Sequence, residues 1–219
     1  MASADRYRIM GHIYELLANL YSGWRIAHCK EAMLEYVKPD DEVLFAGVGH
    51  GREAKKAAER GARVTVVDLS QTMLDKCKNT LEDCNFNHPV QHVHDDIFNV
   101  SPDYKQYDYV FANFFLNVFK REKMDQVVQH LSKLAKPGGY VVVGDFAFPH
   151  GNILARAIKH LYWYVAVTLF FLVTRNAFHD VYNYPEYLKK HGLQIAGIKY
   201  FKLLGLRLYW SVLAQKPLY

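Results

Sequence analysis

The chain has 219 residues, 51% of them hydrophobic and 22% charged, and its 27 Lys and Arg against 22 Asp and Glu give a net charge of +5. This composition supplies enough apolar surface for a full core, which excludes a disordered or collagen-like chain. The basic residues form no long block, so the sequence predicts no nucleic-acid partner. Cys29, Cys77 and Cys84 lack zinc-ligand or CxxC spacing and indicate a reducing, cytoplasmic location without disulfides.

Two features of the chain argue against secretion and against a membrane span. The start of the chain is polar and contains Asp5, Arg6 and Arg8, which predicts that no secretory signal is present. The most apolar run, residues 161–173, has 13 residues, whereas a spanning helix needs about 20. We therefore expect a protein that does not cross a bilayer.

The chain begins with helical periodicity and then alternates short apolar runs with helical patterns. Helices are predicted within residues 9–20 and 26–37, ahead of the first strand. Further elements are predicted as strands at 42–46, 62–67, 90–93, 107–112 and 140–146 and as helices at 52–60, 71–83 and 121–135. Strands separated by such helices predict an α/β fold with a mostly parallel, doubly wound sheet.

The alternation is interrupted after residue 146. Residues 147–183 form an aromatic-rich insertion, which we expect to cover part of the molecule. A short helix is predicted at 185–191, followed by strands near 195–201 and 208–214. Because the connection between these last two strands is short, they are expected to form an antiparallel hairpin at the sheet edge.

A glycine-rich turn joins the first predicted strand to the helix that follows it. Gly47, Gly49 and Gly51 form a GxGxG pattern, and Asp68 ends the next strand. Glycines allow a ligand to approach the backbone closely, and an acid at the tip of the second strand can accept both hydroxyls of a ribose. The pattern predicts a nucleoside-binding site, and its spacing departs from the GxGxxG of dinucleotide-binding dehydrogenases.

The run from Val43 to Met73 resembles motifs I and II of the class I S-adenosylmethionine-dependent methyltransferases, in particular the branch that acts on small molecules such as quinones. The resemblance continues in residues 94–98, 107–113 and 134–139. It implies a single domain over residues 1–219, built on a Rossmann-like seven-stranded sheet with an antiparallel C-terminal strand. It also implies N-terminal lid helices within 1–38 and a hydrophobic helical cap over 147–183.

The same resemblance implies which residues bind S-adenosylmethionine. They are Tyr14, Tyr21, Gly47, Gly49, Gly51, Asp68, Leu69, Met73, Asp96, Ile97, Asn113 and Phe114. The glycines would lie against the methionyl part, the acid after the second strand would hold the ribose, and the two tyrosines would form an aromatic lid. Leu69 and Met73 would flank the adenine. Asp96 would accept a hydrogen bond from its exocyclic amine, Ile97 would pack on the ring, and residues 113–114 would line the sulfonium.

The chain departs from the family pattern at one position. Family members usually have Asp or Glu two residues before the first glycine, where this chain has Phe45. In the family, an acid there helps to hold the amino group of the cofactor. Asp145, at the end of the fifth predicted strand, or a backbone carbonyl could take over this role.

Methyl transfer needs alignment of the acceptor more than it needs a base. If the acceptor is a hydroxyl, a base must remove its proton, and histidines in or beside the insertion are the natural candidates. The candidate catalytic residues are His150 and His179, together with Tyr21 of the lid. Asp145, His150, His179 and Asp180 could form a mixed nitrogen and oxygen site, but their spacing is unremarkable and no metal is predicted.

The insertion also bears on the acceptor. Its apolar run is bracketed by Arg156, Lys159 and Arg175. One interpretation is a buried helix that simply roofs the acceptor pocket. The other is that the roof is apolar because the acceptor is a quinone, a lipid or another hydrophobic aromatic, reached by peripheral contact of residues 154–175 with the inner face of the membrane.

Three functions are therefore open. The leading hypothesis is a methyltransferase that uses S-adenosylmethionine to modify a small hydrophobic acceptor. The second keeps the fold and the cofactor but transfers the amino group of the cofactor, as in the quinone-modifying relatives that build rhodoquinone. The third is a catalytically inactive subunit that binds cofactor or lipid, and Phe45 keeps the second and third hypotheses open.

Overall fold

The computed structural model of the protein describes residues 22–82, 84–150, 153–174 and 181–218. Several residues singled out in the sequence lie outside these described residues. They are Tyr14, Tyr21, Arg175, His179 and Asp180.

Seven strands in the described residues form one sheet. They are β1 (Glu42–Ala46), β2 (Arg63–Asp68), β3 (Gln91–His94), β4 (Tyr107–Phe111), β5 (Ala135–Phe146), β6 (Gln194–Leu203) and β7 (Leu206–Gln215). Their order is β3-β2-β1-β4-β5-β7-β6, and β7 runs antiparallel to both of its neighbours while the other pairs are parallel. The predicted doubly wound sheet with an antiparallel last strand is confirmed.

Six α-helices in the described residues surround this sheet. They are α1 (Arg25–Glu31), α2 (Arg52–Glu59), α3 (Gln71–Leu81), α4 (Arg121–Leu134), α5 (Ile153–Thr174) and α6 (Tyr184–Lys190). The Ser70 side chain caps α3 by accepting a hydrogen bond from the Met73 N–H at 3.4 Å. Alanines form the buried side of α2, and such small side chains allow a helix to approach the sheet closely.

The two faces of the sheet carry separate parts of the core, as the alternation of side chains along a strand requires. The first face packs Leu44, Val110 and Trp210 with residues of α4 and α6. The second face packs Phe45 and Phe111 with residues of α2 and α3. Helices cover both faces, which explains why the central strands are apolar throughout.

Strand β5 begins earlier than the predicted residue 140. Its pairing with β4 already joins Ala135 to Tyr107 and resumes at Tyr140 opposite Tyr109, with an irregularity between these pairs. Gly138 has a φ of 77° within this stretch. The strand therefore starts five residues before its predicted position, because the glycine allows the extra residues to bulge out while the strand continues.

The predicted insertion contains α5, a helix of 22 residues. The Trp163 side chain is buried, and the hydroxyls of Tyr162 and Tyr209 lie 2.8 Å apart, joining α5 to β7. Among the described residues, no helix combines the length and the hydropathy required for a bilayer span. The contact between Tyr162 and Tyr209 places helix α5 at the carboxyl edge of the sheet, near the start of β7.

The β6–β7 hairpin ends the described sheet. β6 pairs with β7 and lies at the edge, as predicted, and its pairing is irregular at two places, between Ile195 and Gly197 and between Phe201 and Lys202. The other edge strand, β3, has four residues.

Candidate active site

The glycine-rich turn lies between the end of β1 and the start of α2. Gly51 has a φ of 77°, and a Cβ atom there would lie 2.5 Å from the Cys77 Sγ atom, so α3 packs directly against this end of the turn. Gly49 is different, because a Cβ atom there would have the Lys30 Nζ atom as its nearest neighbour, at 4.0 Å. The middle of the turn therefore leaves its backbone open to a ligand.

Asp68 ends β2 beside this turn. Its Oδ2 atom accepts a hydrogen bond from the Val48 N–H at 3.0 Å, and its Oδ1 atom accepts one from the Ser70 N–H at 2.8 Å. Burial raises the pKa of Asp68, while these two N–H groups act to lower it. A carboxylate offers about four lone-pair sites, so Asp68 can hold the turn and still accept two further hydroxyls.

The residues assigned to the adenine lie around the ends of β2 and β3. A ring nitrogen of His94 contacts the Leu69 carbonyl at 3.0 Å, and the Leu69 side chain is exposed. The Asp96 Oδ1 atom accepts a hydrogen bond from the Phe98 N–H at 3.0 Å, which leaves Oδ2 for a ligand. Ile97 is buried in the core of the first face, so little of its side chain is open to an adenine ring.

Asn113 and Phe114 follow β4 and connect the site to its surroundings. The Asn113 Oδ1 atom accepts from the Gly144 N–H at 2.9 Å, and its Nδ2 atom donates to the Lys30 carbonyl at 2.9 Å. This amide therefore links β4, β5 and α1. The Phe114 N–H donates to the Gly144 carbonyl at 2.7 Å, and its ring lies edge-on to Phe146 with a centroid distance of 5.7 Å.

Phe114 belongs to an aromatic cluster beneath α5, which also contains Phe146, Tyr162 and Tyr209. The cavity between this cluster and α5 has a volume of about 10 Å³, which is about enough for one water molecule. In the described residues this cavity is therefore too small for a hydrophobic acceptor.

Of the candidate catalytic residues, His150 lies in the described part of the chain, and its side chain is exposed. The His150 ring lies edge-on to Phe148 at a centroid distance of 5.1 Å, and its backbone carbonyl accepts from the Lys159 Nζ atom at 2.7 Å. No group of three metal-ligating side chains occurs among the residues that the structure describes.

Asp145 does not take the role that Phe45 leaves open. Its Oδ2 atom accepts from the Tyr184 hydroxyl at 2.7 Å, and its Oδ1 atom accepts from the Asn117 Nδ2 atom at 3.0 Å. The side chain is fully buried toward the first face, whereas Phe45 points to the second face and stacks on Phe111 at 4.9 Å. The suggestion that Asp145 replaces the missing acid is therefore wrong, because its side chain is fully buried on the opposite face of the sheet from Phe45.

Burial raises the pKa of Asp145 to about 6, above the value of about 4 expected in the unfolded chain. Between these two values the folded state binds more protons than the unfolded state. Asp145 therefore lowers the stability of the protein as the pH rises from about 4 to about 6, and its contribution is constant above that window.

The Asp145→Asn variant tests this pH dependence, since an amide of the same shape does not ionise. The free energy of unfolding of the wild type minus that of the variant is expected to fall by about 2–3 kcal/mol between pH 4 and pH 6. Urea titrations at pH 4, 5, 6 and 7 measure this difference. The contributions of the other carboxylates are the same in both proteins and cancel. A difference that stays constant with pH would contradict the assignment.

The structure adds three residues that the sequence did not reveal. The Phe115 ring packs on Gly47, where a Cβ atom would lie 2.5 Å from its Cδ2 atom. The Lys30 Nζ atom pairs with the Glu53 Oε1 atom at 3.2 Å beside the glycine turn. These contacts join residues that are far apart in the chain, so spacing alone carries no signal for them.

Comparison with known proteins agrees with this geometry. Residues 43–139 match the methyltransferase domain family. The chain is 23% identical over 134 residues to a carboxy-S-adenosyl-L-methionine synthase from Hydrogenovibrio crunogenus, covering 60% of this chain and 53% of the relative. It is 28% identical over 165 residues to a demethylmenaquinone methyltransferase from Clavibacter sepedonicus, covering 74% of this chain and 62% of the relative. The chain thus spans about half to three fifths of the length of these relatives.

A solved structure extends the comparison over almost the whole chain. Magnesium protoporphyrin IX methyltransferase from Synechocystis, with S-adenosylmethionine bound, aligns with a TM-score of 0.59 and 18% identity over 99% of this chain and 85% of that chain. A likeness at this identity shows a common fold.

Proposed function

We propose that the chain is an S-adenosylmethionine-dependent methyltransferase acting on a small hydrophobic acceptor, since residues 43–139 match the methyltransferase domain family and the fold is similar to that of a solved methyltransferase. One observation carries the proposal. The open backbone of Gly49 and the half-buried carboxylate of Asp68 lie side by side at the carboxyl edge of the sheet, linked through the Val48 N–H. This edge is where open α/β sheets bind their ligands.

The described residues fit the cofactor in three parts. Asp68 has acceptor capacity for the two ribose hydroxyls, and Asp96 has a free oxygen for the adenine amine. The turn formed by Gly47, Gly49 and Gly51 would lie against the methionyl part, with Gly49 as its open position. The bound cofactor supplies an electrophilic methyl group, so the protein has to orient the acceptor and exclude water more than it has to activate a leaving group.

The aromatic cluster beneath α5 is the proposed acceptor side. Phe114 joins it to the cofactor side, because it follows Asn113, whose side chain bonds to the Lys30 carbonyl, while its own ring contacts Phe146. Apolar walls with few polar groups are typical of sites for hydrophobic ligands. We propose that residues 147–183 form a hydrophobic cap within a single domain and that His150, His179 or Tyr21 takes the proton from a hydroxyl acceptor.

A second function is favoured by one specific contact. Phe45 is buried and stacked on Phe111 where family members usually carry an acid. A changed site for the amino group of the cofactor is consistent with amino transfer of the rhodoquinone type. The same contact is compatible with an inactive subunit that binds cofactor or lipid.

One experiment separates these functions. The purified protein is incubated with S-adenosylmethionine and a short-chain quinone, and the nucleoside products are identified by mass spectrometry. Formation of S-adenosylhomocysteine with a methylated acceptor is the expected result. Methylthioadenosine-type or deaminated products would favour amino transfer, and binding of the cofactor without turnover of a panel of hydrophobic acceptors would favour an inactive subunit.

We further propose that the protein contacts the inner face of an anionic membrane at the edge that carries α5. Ile153, Leu161 and Tyr164 are exposed and lie on one face of α5. Leu204 at the tip of the β6–β7 hairpin is 94% exposed, and Trp24 is exposed beside the same hairpin. Such exposed apolar side chains are typical of an interaction surface.

The distribution of charge supports a lipid partner. Residues 146–219 contain nine Lys and Arg but two Asp and Glu, whereas residues 1–145 contain 18 Lys and Arg and 20 Asp and Glu. The whole net positive charge therefore belongs to the part of the chain that contains α5 and the hairpin. Basic residues near a membrane surface are attracted by anionic lipids, and apolar side chains between them can insert.

The Leu161→Asp and Leu204→Asp double variant tests the membrane contact. Sedimentation with vesicles of phosphatidylcholine and phosphatidylglycerol is expected to show binding by the wild type and at least about tenfold weaker binding by the variant, since two apolar side chains are lost. Tyr104→Asp is the matched control, because Tyr104 is equally exposed but precedes β4 at the opposite edge. Equal binding by all three proteins would contradict the proposed surface.

A further inference from the structure

A shielded ion pair lies at the glycine-rich turn. Lys30 is near the end of α1 and Glu53 is in the first turn of α2, and their Nζ and Oε1 atoms are 3.2 Å apart. The Glu53 side chain is 12% exposed and that of Lys30 is 26% exposed. The Lys30 Nζ atom is also the nearest atom to the open side of Gly49. Both charges therefore border the part of the turn that a ligand can approach.

The position of the pair is set from several sides. The Asn113 Nδ2 atom donates to the Lys30 carbonyl at 2.9 Å, which fixes the end of α1 against β4. Burial first, and then the nearby Glu53 carboxylate, raise the pKa of Cys77 to about 12. The position of Glu53 beside the turn is given by its contact with Lys30, whose Nζ atom lies next to Gly49, and Cys77 packs on Gly51 at the other end of the turn.

A second ion pair joins the same two helices, so the first is not their sole link in the described residues. The Lys56 Nζ atom and the Glu31 Oε2 atom are 2.5 Å apart, and these side chains are more exposed, at 49% and 27%. A shielded ion pair loses hydration that its mutual attraction does not readily repay. The Lys30 and Glu53 pair therefore has a cost that a purely structural link between α1 and α2 does not require.

The charged end of the cofactor has no other partner assigned in the described site. The amino-acid end of S-adenosylmethionine carries an ammonium and a carboxylate, so it needs one group of each charge. Phe45 supplies neither, Asp145 is used in the core, and Asp68 lies at the ribose side. Of the described side chains, Lys30 and Glu53 are the oppositely charged pair placed beside the open glycine.

We propose that Glu53 and Lys30 together bind the amino-acid end of S-adenosylmethionine, Glu53 accepting from the α-ammonium and Lys30 pairing with the α-carboxylate. The pair thereby replaces the acid that family members carry at the position of Phe45. This inference rests on the proposed use of S-adenosylmethionine and adds the residues that recognise its charged end.

Calorimetric titration with two nucleosides tests the inference. S-adenosylhomocysteine carries the amino-acid end, and methylthioadenosine lacks it. The wild type is expected to bind S-adenosylhomocysteine more tightly than methylthioadenosine. Glu53→Gln and Lys30→Met are each expected to weaken its binding by about 10- to 100-fold, the range for hydrogen bonds to charged groups, and to leave the binding of methylthioadenosine unchanged. Glu31→Gln, which breaks the more exposed pair between the same helices, should bind both nucleosides as the wild type does.

The outcomes separate this inference from the proposed function. Wild-type protein that binds neither nucleoside would overturn the proposed function and this inference with it. If the wild type binds both, unchanged affinity of the two variants for S-adenosylhomocysteine would overturn this inference alone. An equal loss of affinity for both nucleosides in the variants would also overturn this inference. Such a result would mean that the ion pair shapes the turn instead of recognising the charged end.

Discussion

Replacing Gly51 with alanine is expected to lower the free energy of unfolding by about 2–5 kcal/mol. The left-handed conformation, with a φ of 77°, costs a residue with a side chain about 1–2 kcal/mol. The added Cβ atom would also lie 2.5 Å from the Cys77 Sγ atom and 3.0 Å from the Cys77 Cα atom, and such overpacking typically costs about 1–3 kcal/mol. Urea denaturation followed by circular dichroism measures the loss.

Gly192→Ala is the matched control for this prediction. Gly192 has a φ of 82°, and a Cβ atom there would meet no atom within 4 Å. The control variant should therefore show the backbone cost alone. A Cys77→Ala change in the Gly51→Ala background should recover part of the stability, since it removes the Sγ atom but leaves the Cα atom in place. If Gly51→Ala and Gly192→Ala lower the free energy of unfolding equally, α3 does not press against the turn.

Asp68→Ala is expected to weaken the binding of S-adenosylhomocysteine by about 3 kcal/mol or more, which is over 100-fold in Kd. The variant loses the acceptor for two ribose hydroxyls. It also frees the Val48 N–H, which Asp68 holds at 3.0 Å, so the glycine-rich turn loses one of its anchors. Isothermal titration calorimetry of the folded variant measures the change.

Asp75→Ala provides the comparison on α3, because Asp75 is exposed and its carboxylate accepts only a bond from the Gln71 side chain at 2.8 Å in the described structure. This control should bind as the wild type does. Asp68→Asn should fall between the wild type and Asp68→Ala, since its amide oxygen can still accept one hydrogen bond. Unchanged affinity of Asp68→Ala would refute the assignment of the ribose site.

The order of the elements and the centre of the site could be predicted from the sequence. The β-branched run at 62–67 and the alanine-rich helix before it have distinct periodicities, and both lie within two residues of their predicted positions. Gly51 and Asp68 were also predictable, because each is close in sequence to the strand end that positions it. Local signals of this kind depend on a few neighbouring residues.

Contacts between distant residues could not be predicted in this way. Glu53 and Lys30 are ordinary charged helix residues in the sequence, and only the packing of α1 beside α2 brings them to the glycine turn. The sequence places Asp145 near the histidines or the cofactor, but the Tyr184 hydroxyl from α6 holds it inside the core. The bulge at Gly138 resembles a turn in the sequence, because glycine after proline has the same local signature in both.

The two edges of the sheet explain how the chain avoids uncontrolled self-association. An exposed strand edge offers unpaired backbone groups to any second strand and can nucleate aggregates. Here β3 presents four residues, too few for extended pairing, and β6 is broken by irregular pairing beside Gly197 and Lys202. A deletion that made β6 regular would therefore be expected to favour fibrous or amorphous aggregates even if the nucleoside site stayed intact.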